Sequence, residues 1–400
     1  MDPNIRKYER TLVRFSILVG IIIFSNILLP FSALPSENPF KIRKFITAYG
    51  LNDSDVPFIA SHFDLIETYL SKSSQVQMIK ELNSNLKAIY YRDPLAYWGT
   101  EDWYVHDAKT GAKLIQKDWN WPLGDVSNPR YRAYVRDAVK YDLDNYPVFD
   151  GVFLDDYWQA ISPTNFYREG TTELGIVPQA VIDSWLVNMT LLLSEIRAAI
   201  GNKLIVVNTG PYAIKYLEIA DGQMYEAFCH ANWQTFTDYY GDWQGILNRM
   251  ITLNNSGKIY LAQSGIQKTA VDSETIKTAK YCYSMFLLGA NSNSYFYFSK
   301  NYQGVTYFPE WDIDLGNPVG NYRARIGTPL FEREYSKGLV VINPSSGSVQ
   351  INLGSSYKRL DGSTTDTISL GSHEGEVLLK MSNDTTPPAP PKGLRILNTP

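Results

Sequence analysis

Cysteine and histidine are scarce in this chain. Its 400 residues include two cysteines, Cys229 and Cys282, and four histidines, His62, His106, His230 and His373. None of them falls in a C-x-x-C or H-E-x-x-H spacing, so no set of three or four thiolate or imidazole ligands is available, and neither a metal nor a cofactor is expected. The two cysteines are far apart in sequence and fit either a single disulfide in an exported protein or two buried thiols. A surplus of positive charge is also missing: 37 Lys and Arg stand against 41 Asp and Glu, a net charge of −4. That balance offers no basic surface for nucleic acid. No G-x-S-x-G elbow is present to hold a nucleophilic serine. What the chain has in quantity is aromatic surface, 14% of residues with 28 Tyr, 17 Phe and 9 Trp. Such an excess suits either stacking against sugar rings or a bulky barrel core.

One long apolar run occurs, at the start. Arg6, Lys7, Arg10 and Arg14 precede an uncharged apolar stretch over residues 15–29, and Pro30 and Pro35 follow it. A terminal, unpatterned run with basic residues before it reads as a signal peptide or transmembrane signal anchor over residues 1–35, rather than a buried core helix. The positive flank stays in the cytoplasm, which sends the rest of the chain across the membrane. An extracellular or cell-surface location, secreted or membrane-anchored, is therefore expected. Asn52, Asn188, Asn254 and Asn383 each begin a glycosylation sequon.

Between residues 42 and 309 short apolar runs alternate with longer amphipathic stretches, the pattern of β-α units on a parallel sheet. The runs cover residues 44–49, 63–69, 86–91, 149–155, 203–208, 222–226, 258–263 and 294–298. Helices are predicted over 74–83, 129–145, 178–200, 242–254 and 273–288, and the first and fifth crossovers look short. Eight strands close a (β/α)8 TIM barrel. An open doubly wound sheet would alternate in the same way, but no glycine-rich turn follows the first run. Residues 310–381 change character to short β runs separated by Gly, Ser and Asn-Pro turns, which predicts a small antiparallel β-sandwich domain. Residues 382–400 form a Pro-rich linker that reads as the approach to a further β-sandwich module.

In such a barrel the chemistry sits where the strands end. The fourth run ends in Asp155, Asp156 and Trp158, the fifth in Asn208, the sixth in Tyr225 and Glu226, and the seventh in Gln263. Two carboxyls facing each other across the mouth are what glycosidic bond cleavage needs: one protonates the leaving oxygen, and the other attacks the anomeric carbon or activates water. Burial and mutual repulsion raise the pKa of the acid, so both protonation states coexist near neutral pH. Asp155 and Glu226 are the candidate pair. Asp156 is the alternative to Asp155, which is preferred because it follows the strand core directly while its neighbour points to the other side. An acid ending a strand can also cap the next helix or pair with Arg92. Tyr91, Arg92 and Asp93, at the end of the third run, fit contact with a substrate hydroxyl, orientation of a carboxylate, or a structural pairing. Trp98, Trp103, Trp119, Trp121 and Trp158 fall in the long loops, where they either stack on sugars or pack those loops onto the barrel.

The segment Phe149-Asp-Gly-Val-Phe-Leu-Asp-Asp156 resembles the fourth-strand signature of the glycoside hydrolase-like TIM barrels that include the endo-polygalactosaminidase-like family. Asn128-Pro-Arg-Tyr-Arg132, Asn208-Thr-Gly210, Tyr225-Glu226, Asp314-Leu-Gly-Asn-Pro318 and Gly338-Leu-Val-Val-Ile-Asn-Pro344 make residues 42–381 most similar to hypothetical glycosyl hydrolase family 15. The resemblance implies a glycoside hydrolase with its paired acids on strands four and six. The expected function is cleavage of an extracellular or cell-envelope polysaccharide. Asp155 would be nucleophile or base and Glu226 the general acid, while Asn208, Gln263, Arg92, Asp93, Tyr91, Tyr225 and Trp158 would bind hydroxyls or hold the carboxylates. Rival readings are a non-catalytic carbohydrate-binding barrel and a structural cell-surface component.

Overall fold

The computed structural model describes residues 40–210, 215–230, 242–266, 271–300, 302 and 304–381. The N-terminal apolar run, the Pro-rich segment 382–400 and the sequon at Asn383 lie outside the described residues. Among the described residues no helix is long and apolar enough to cross a membrane.

Eight parallel strands close a barrel in sequence order: β1 (Arg43–Thr47), β2 (Leu65–Thr68), β3 (Lys87–Arg92), β4 (Gly151–Leu154), β5 (Leu204–Asn208), β6 (Gly222–Tyr225), β7 (Ile259–Gly265) and β8 (Ser294–Ser299), with β8 pairing back to β1. The strands are near-continuous apolar runs because a parallel sheet is covered on both faces. Among the described residues six α-helices pack outside: α1 (Val56–His62), α2 (Ser73–Leu82), α3 (Pro129–Asn145), α4 (Gln179–Ile200), α5 (Trp243–Asn255) and α6 (Ser273–Gly289). Their starts follow capping chemistry. Asn128 accepts the Arg130 amide ahead of α3, Asp242 accepts that of Gly245, and Asp272 accepts that of Thr275. α4 stops at Gly201, whose φ of 60° suits a residue without Cβ. The first crossover helix has only seven residues, and in the fifth the described helical segment is the short turn Lys215–Glu218.

At the bottom of the barrel three aspartates repeat one task. Asp64, Asp150 and Asp221 precede β2, β4 and β6, and their carboxylates accept the amides of Lys44 (3.0 Å), Ala88 (2.8 Å) and Ile205 (2.8 Å) on the neighbouring strands. Each also meets a cation: Lys41, Lys80 or Arg197. Gly151 follows for a steric reason, since a Cβ there would lie 2.1 Å from the Leu204 carbonyl oxygen of β5.

Leu114–Gln116 and Phe166–Arg168 pair as a small antiparallel ribbon in the loops of the mouth, and the strands after the barrel form one six-stranded antiparallel sheet: β9 (Arg323–Ala324), β10 (Phe331–Glu334), β11 (Gly338–Asn343), β12 (Val349–Lys358), β13 (Thr364–Leu370) and β14 (Glu374–Lys380), in the order β9-β10-β11-β14-β12-β13. Alternation sorts the side chains of β11 and β14. Val340, Ile342 and Val377 join the main core, while Leu339, Val341 and Leu378 meet Ile351, Leu353, Ile368 and Leu370 in a second small core. The pairing of β12 shifts register between Asn352 and Tyr357, which lets the strand serve both β13 and β14. This sheet covers α6. Arg333 donates to the carbonyls of Leu287 (3.2 Å) and Ala290 (2.8 Å), and the Tyr335 hydroxyl donates to Leu287 (2.6 Å), so groups orphaned at the helix C-terminus are satisfied by the neighbouring domain. Of the sequons, Asn254 is buried on α5 and offers no surface for a glycan.

Cys229, in the loop after β6, and Cys282, on α6, are joined in a disulfide, which resolves the two alternatives their spacing left open. The bridge closes a loop of 53 residues. A Cys229→Ser, Cys282→Ser double variant is expected to lose about 2–4 kcal/mol of stability, measured by denaturant unfolding, because the unfolded chain regains that loop's freedom.

Candidate active site

The strands deliver their last residues to one end of the barrel, and the two candidate carboxyls meet there. Asp155 directly follows β4. Its Oδ2 accepts the Tyr91 hydroxyl at 2.9 Å, and its Oδ1 accepts the Asn208 side-chain amide at 2.9 Å and the Asp156 backbone amide at 2.8 Å. Three donors, with no cation paired to it among the described residues, place it in a polar frame, the setting in which a carboxylate attacks or stabilises positive charge.

Glu226 directly follows β6 and is half-buried. Its Oε1 accepts the Tyr302 hydroxyl at 3.2 Å. Burial and the negative charge of Asp155 push its carboxyl up to about 7, against hydrogen bonds from Asn208 and Tyr302 that hold it down. Asn208, the last residue of β5, thus stands between the two acids.

Beside them opens a cleft of about 760 Å³, lined among others by Trp119, Asp156, Trp158, Asn208, Tyr225 and Glu226. Asp156 adopts φ 48°, a left-handed conformation that turns its side chain onto the cleft wall instead of continuing the strand. Burial, then the charge of Asp155, pushes its carboxyl up to about 10. Trp158 stacks on Trp121 with ring centroids 6.1 Å apart, and its carbonyl is fixed by Trp185 Nε1 and the Tyr216 hydroxyl. Trp119 is 73% exposed at the rim. Trp103 packs instead against Tyr97.

The third strand divides by alternation. Tyr91 points inward to Asp155, whereas Arg92 points outward and pairs with Asp142 of α3 at 3.0 Å. Asp93 accepts the backbone amides of Leu95 (2.8 Å) and Ala96 (3.2 Å), which commits its carboxyl to the turn it starts. Burial and the Asp155 charge push Asp93 up to about 7. Gln263 is buried between Thr47 and Tyr302.

Several residues at this mouth escaped the reading of strand ends. Tyr49 and Tyr69 stack at 4.4 Å, with Tyr91 edge-on to both at 5.5 Å, and form an aromatic wall. Tyr302 lies beyond β8, with φ 57°, held by Ser299 Oγ and by the Tyr49 amide on its carbonyl. Glu67 sits inside β2, fully buried, near both Asp155 and Glu226. Its signal in the sequence was an acid in the middle of an apolar run. Among the described residues no group of three His, Cys, Asp or Glu is arranged to hold a metal ion.

Among the solved structures that align with the chain are a glycoside hydrolase domain and an amylase. The glycoside hydrolase domain of PelA from Pseudomonas aeruginosa aligns at 15% identity with a TM-score of 0.43, covering 70% of this chain and 98% of its own. A noncanonic maltogenic alpha-amylase, AmyB from Thermotoga neapolitana, aligns at 10% identity with a TM-score of 0.49, covering 85% and 98%. No curated protein sequence matches the chain. The family assignment comes from the sequence that builds this mouth and its supports: residues 70–339, more than half of the chain, match hypothetical glycosyl hydrolase family 15, and the chain belongs to that family.

Proposed function

We propose that the protein hydrolyses an extracellular or cell-envelope polysaccharide, with Glu226 as general acid and Asp155 as nucleophile. The observation that carries this reading is the Asn208 side chain held between two carboxyls of unequal character at a barrel mouth. Asp155 is ringed by donors, and Glu226 is pushed towards neutrality. In this reading Asp155 attacks the anomeric carbon directly, with Glu226 first protonating the leaving oxygen and then deprotonating water, so the anomeric configuration is retained. Tyr91 and Asn208 hold Asp155 in line. Trp119, Trp158 and Tyr225 offer flat faces to sugar C–H surfaces, and Asp156 offers a polar group on the same wall. The apolar N-terminal run and the Cys229–Cys282 disulfide support an extracytoplasmic site of action.

The test is reducing-end release from a panel of polysaccharides across pH. Turnover is expected to fall as pH rises through about 7, because Glu226 must carry its proton to act and its carboxyl titrates there. Glycan binding with no release on any polysaccharide would favour a carbohydrate-binding barrel instead. Such a protein needs stacking and hydrogen bonds but no opposed acids.

A further inference from the structure

Tyr302 has no task in the reaction above, yet the fold holds it at three points. Its amide donates to Ser299 Oγ at 3.0 Å, its carbonyl accepts the Tyr49 amide at 2.9 Å, and its hydroxyl meets Gln263 Nε2 at 3.0 Å and Glu226 Oε1 at 3.2 Å. Its φ of 57° lies in the left-handed region, which a residue with a bulky side chain occupies only where its surroundings enforce it.

Gln263 fixes the direction of the hydroxyl. The Thr47 hydroxyl donates to Gln263 Oε1 at 2.9 Å, which leaves Nε2 as the side facing Tyr302. An amide nitrogen only donates, so the Tyr302 oxygen accepts there and its own hydrogen goes to Glu226 Oε1. Thr47 lies on β1 and Gln263 on β7, both buried, so this support is built from barrel strands rather than loops. With Oε1 facing the hydrogen of Tyr302, the single proton of a neutral Glu226 sits on Oε2.

We propose that Tyr302 is the positioning residue of the general acid: its hydroxyl, aimed by Gln263, occupies Oε1 of Glu226 and so makes Oε2 the oxygen that hands the proton to the leaving group. This rests on the reading of Glu226 as the acid. As the Oε2–H bond breaks, the leaving oxygen takes the proton and keeps the electron pair of its broken bond to the anomeric carbon. The negative charge left on Glu226 is met by a donor already in place.

Tyr302→Phe removes one oxygen and keeps the ring, and the full chain carrying it is compared with the parent in two ways. Without substrate, the Glu226 titration, followed by infrared difference spectroscopy through the carboxyl band that Glu226→Gln removes, should rise by about half a unit, because a donor to the charged form is lost. Asp155, Asp156, Glu67 and Tyr49 also act on Glu226 and stay in place in the variant. With a polysaccharide that the parent cleaves, kcat should fall about tenfold with KM within about twofold, and the alkaline limb of the pH profile should move up by the same half unit. A Glu226 titration that falls would mean that Glu226 donates to Tyr302, and one that stays would mean that the contact has no weight. Either result overturns the proposal, as does a loss of kcat with the alkaline limb unmoved. If the parent cleaves no polysaccharide, the catalytic reading of Glu226 fails while the substrate-free titration still shows whether Tyr302 sets its proton, so the two failures are separable.

Discussion

Glu226→Gln should lower turnover of a natural polysaccharide by about a hundredfold to ten-thousandfold and, at pH 8, make the protein more stable. The first effect follows from the missing proton. Glutamine keeps the acceptor that Tyr302 bonds, so the site stays assembled while the leaving oxygen departs unprotonated. Activated substrates with acidic leaving groups should be much less affected, which separates loss of the acid from loss of fold. The second effect follows from linkage. The Glu226 carboxyl binds its proton more tightly folded, at about 7, than at the ordinary value of 4.5, so its contribution to stability is fully present below about 4.5 and is lost as pH rises through about 7. Above that pH the parent carries a buried, repelled charge that glutamine lacks. The variant should therefore gain on the order of 2 kcal/mol at pH 8 and nothing at pH 4, read as the difference between thermal unfolding curves. Equal stability of the two proteins at both pH values would show that Glu226 titrates normally and has no claim to the acid's role.

Asp155→Ala should be the more damaging change, costing about ten-thousandfold or more in kcat, since it removes the attacking group and leaves the Tyr91 and Asn208 donors without their acceptor. Azide should restore part of that rate by occupying the vacated space, giving a glycosyl azide of inverted configuration. Azide needs no general base, so an inverting enzyme stripped of its base would give the same inverted azide, and the anomer first released by the parent, read by NMR, decides between the two courses. Asp156→Asn is the control that separates the two neighbouring acids. Its carboxyl is turned to the cleft wall, away from the Tyr91 and Asn208 side chains that bond Asp155, so the change should alter KM more than kcat. A collapse of kcat in Asp156→Asn with Asp155→Ala still active would transfer the nucleophile to Asp156.

Much of the architecture was legible because it depends on local pattern. The eight apolar runs and the five longer helices follow from side-chain periodicity and caps such as Asn128, Asp242 and Asp272, which act within one turn. Asp155, Asn208 and Glu226 were accessible for a related reason: a parallel barrel gathers the C-terminal ends of its strands, so strand order alone brings these three together. The same logic fails one residue away. Arg92 follows Tyr91 in the chain, yet strand alternation sends one to α3 and the other to Asp155. Asp64, Asp150 and Asp221 belong to or adjoin the same apolar runs and serve as anchors between neighbouring strands at the opposite end.

The sequence by itself determined a closed α/β barrel with a β domain after it, and two acids at one mouth, because these depend on composition, period and strand order. Only the tertiary structure decided which groups surround those acids. Thr47, Gln263, Tyr302 and Glu226 are brought together from strands and loops up to 255 residues apart in sequence, and the hydrogen bonds that join them exist only in that packing. The unequal protonation of Asp155's neighbours has the same origin. Burial and the distance between charges are properties of the packed barrel mouth, to which no residue type or spacing in the chain corresponds.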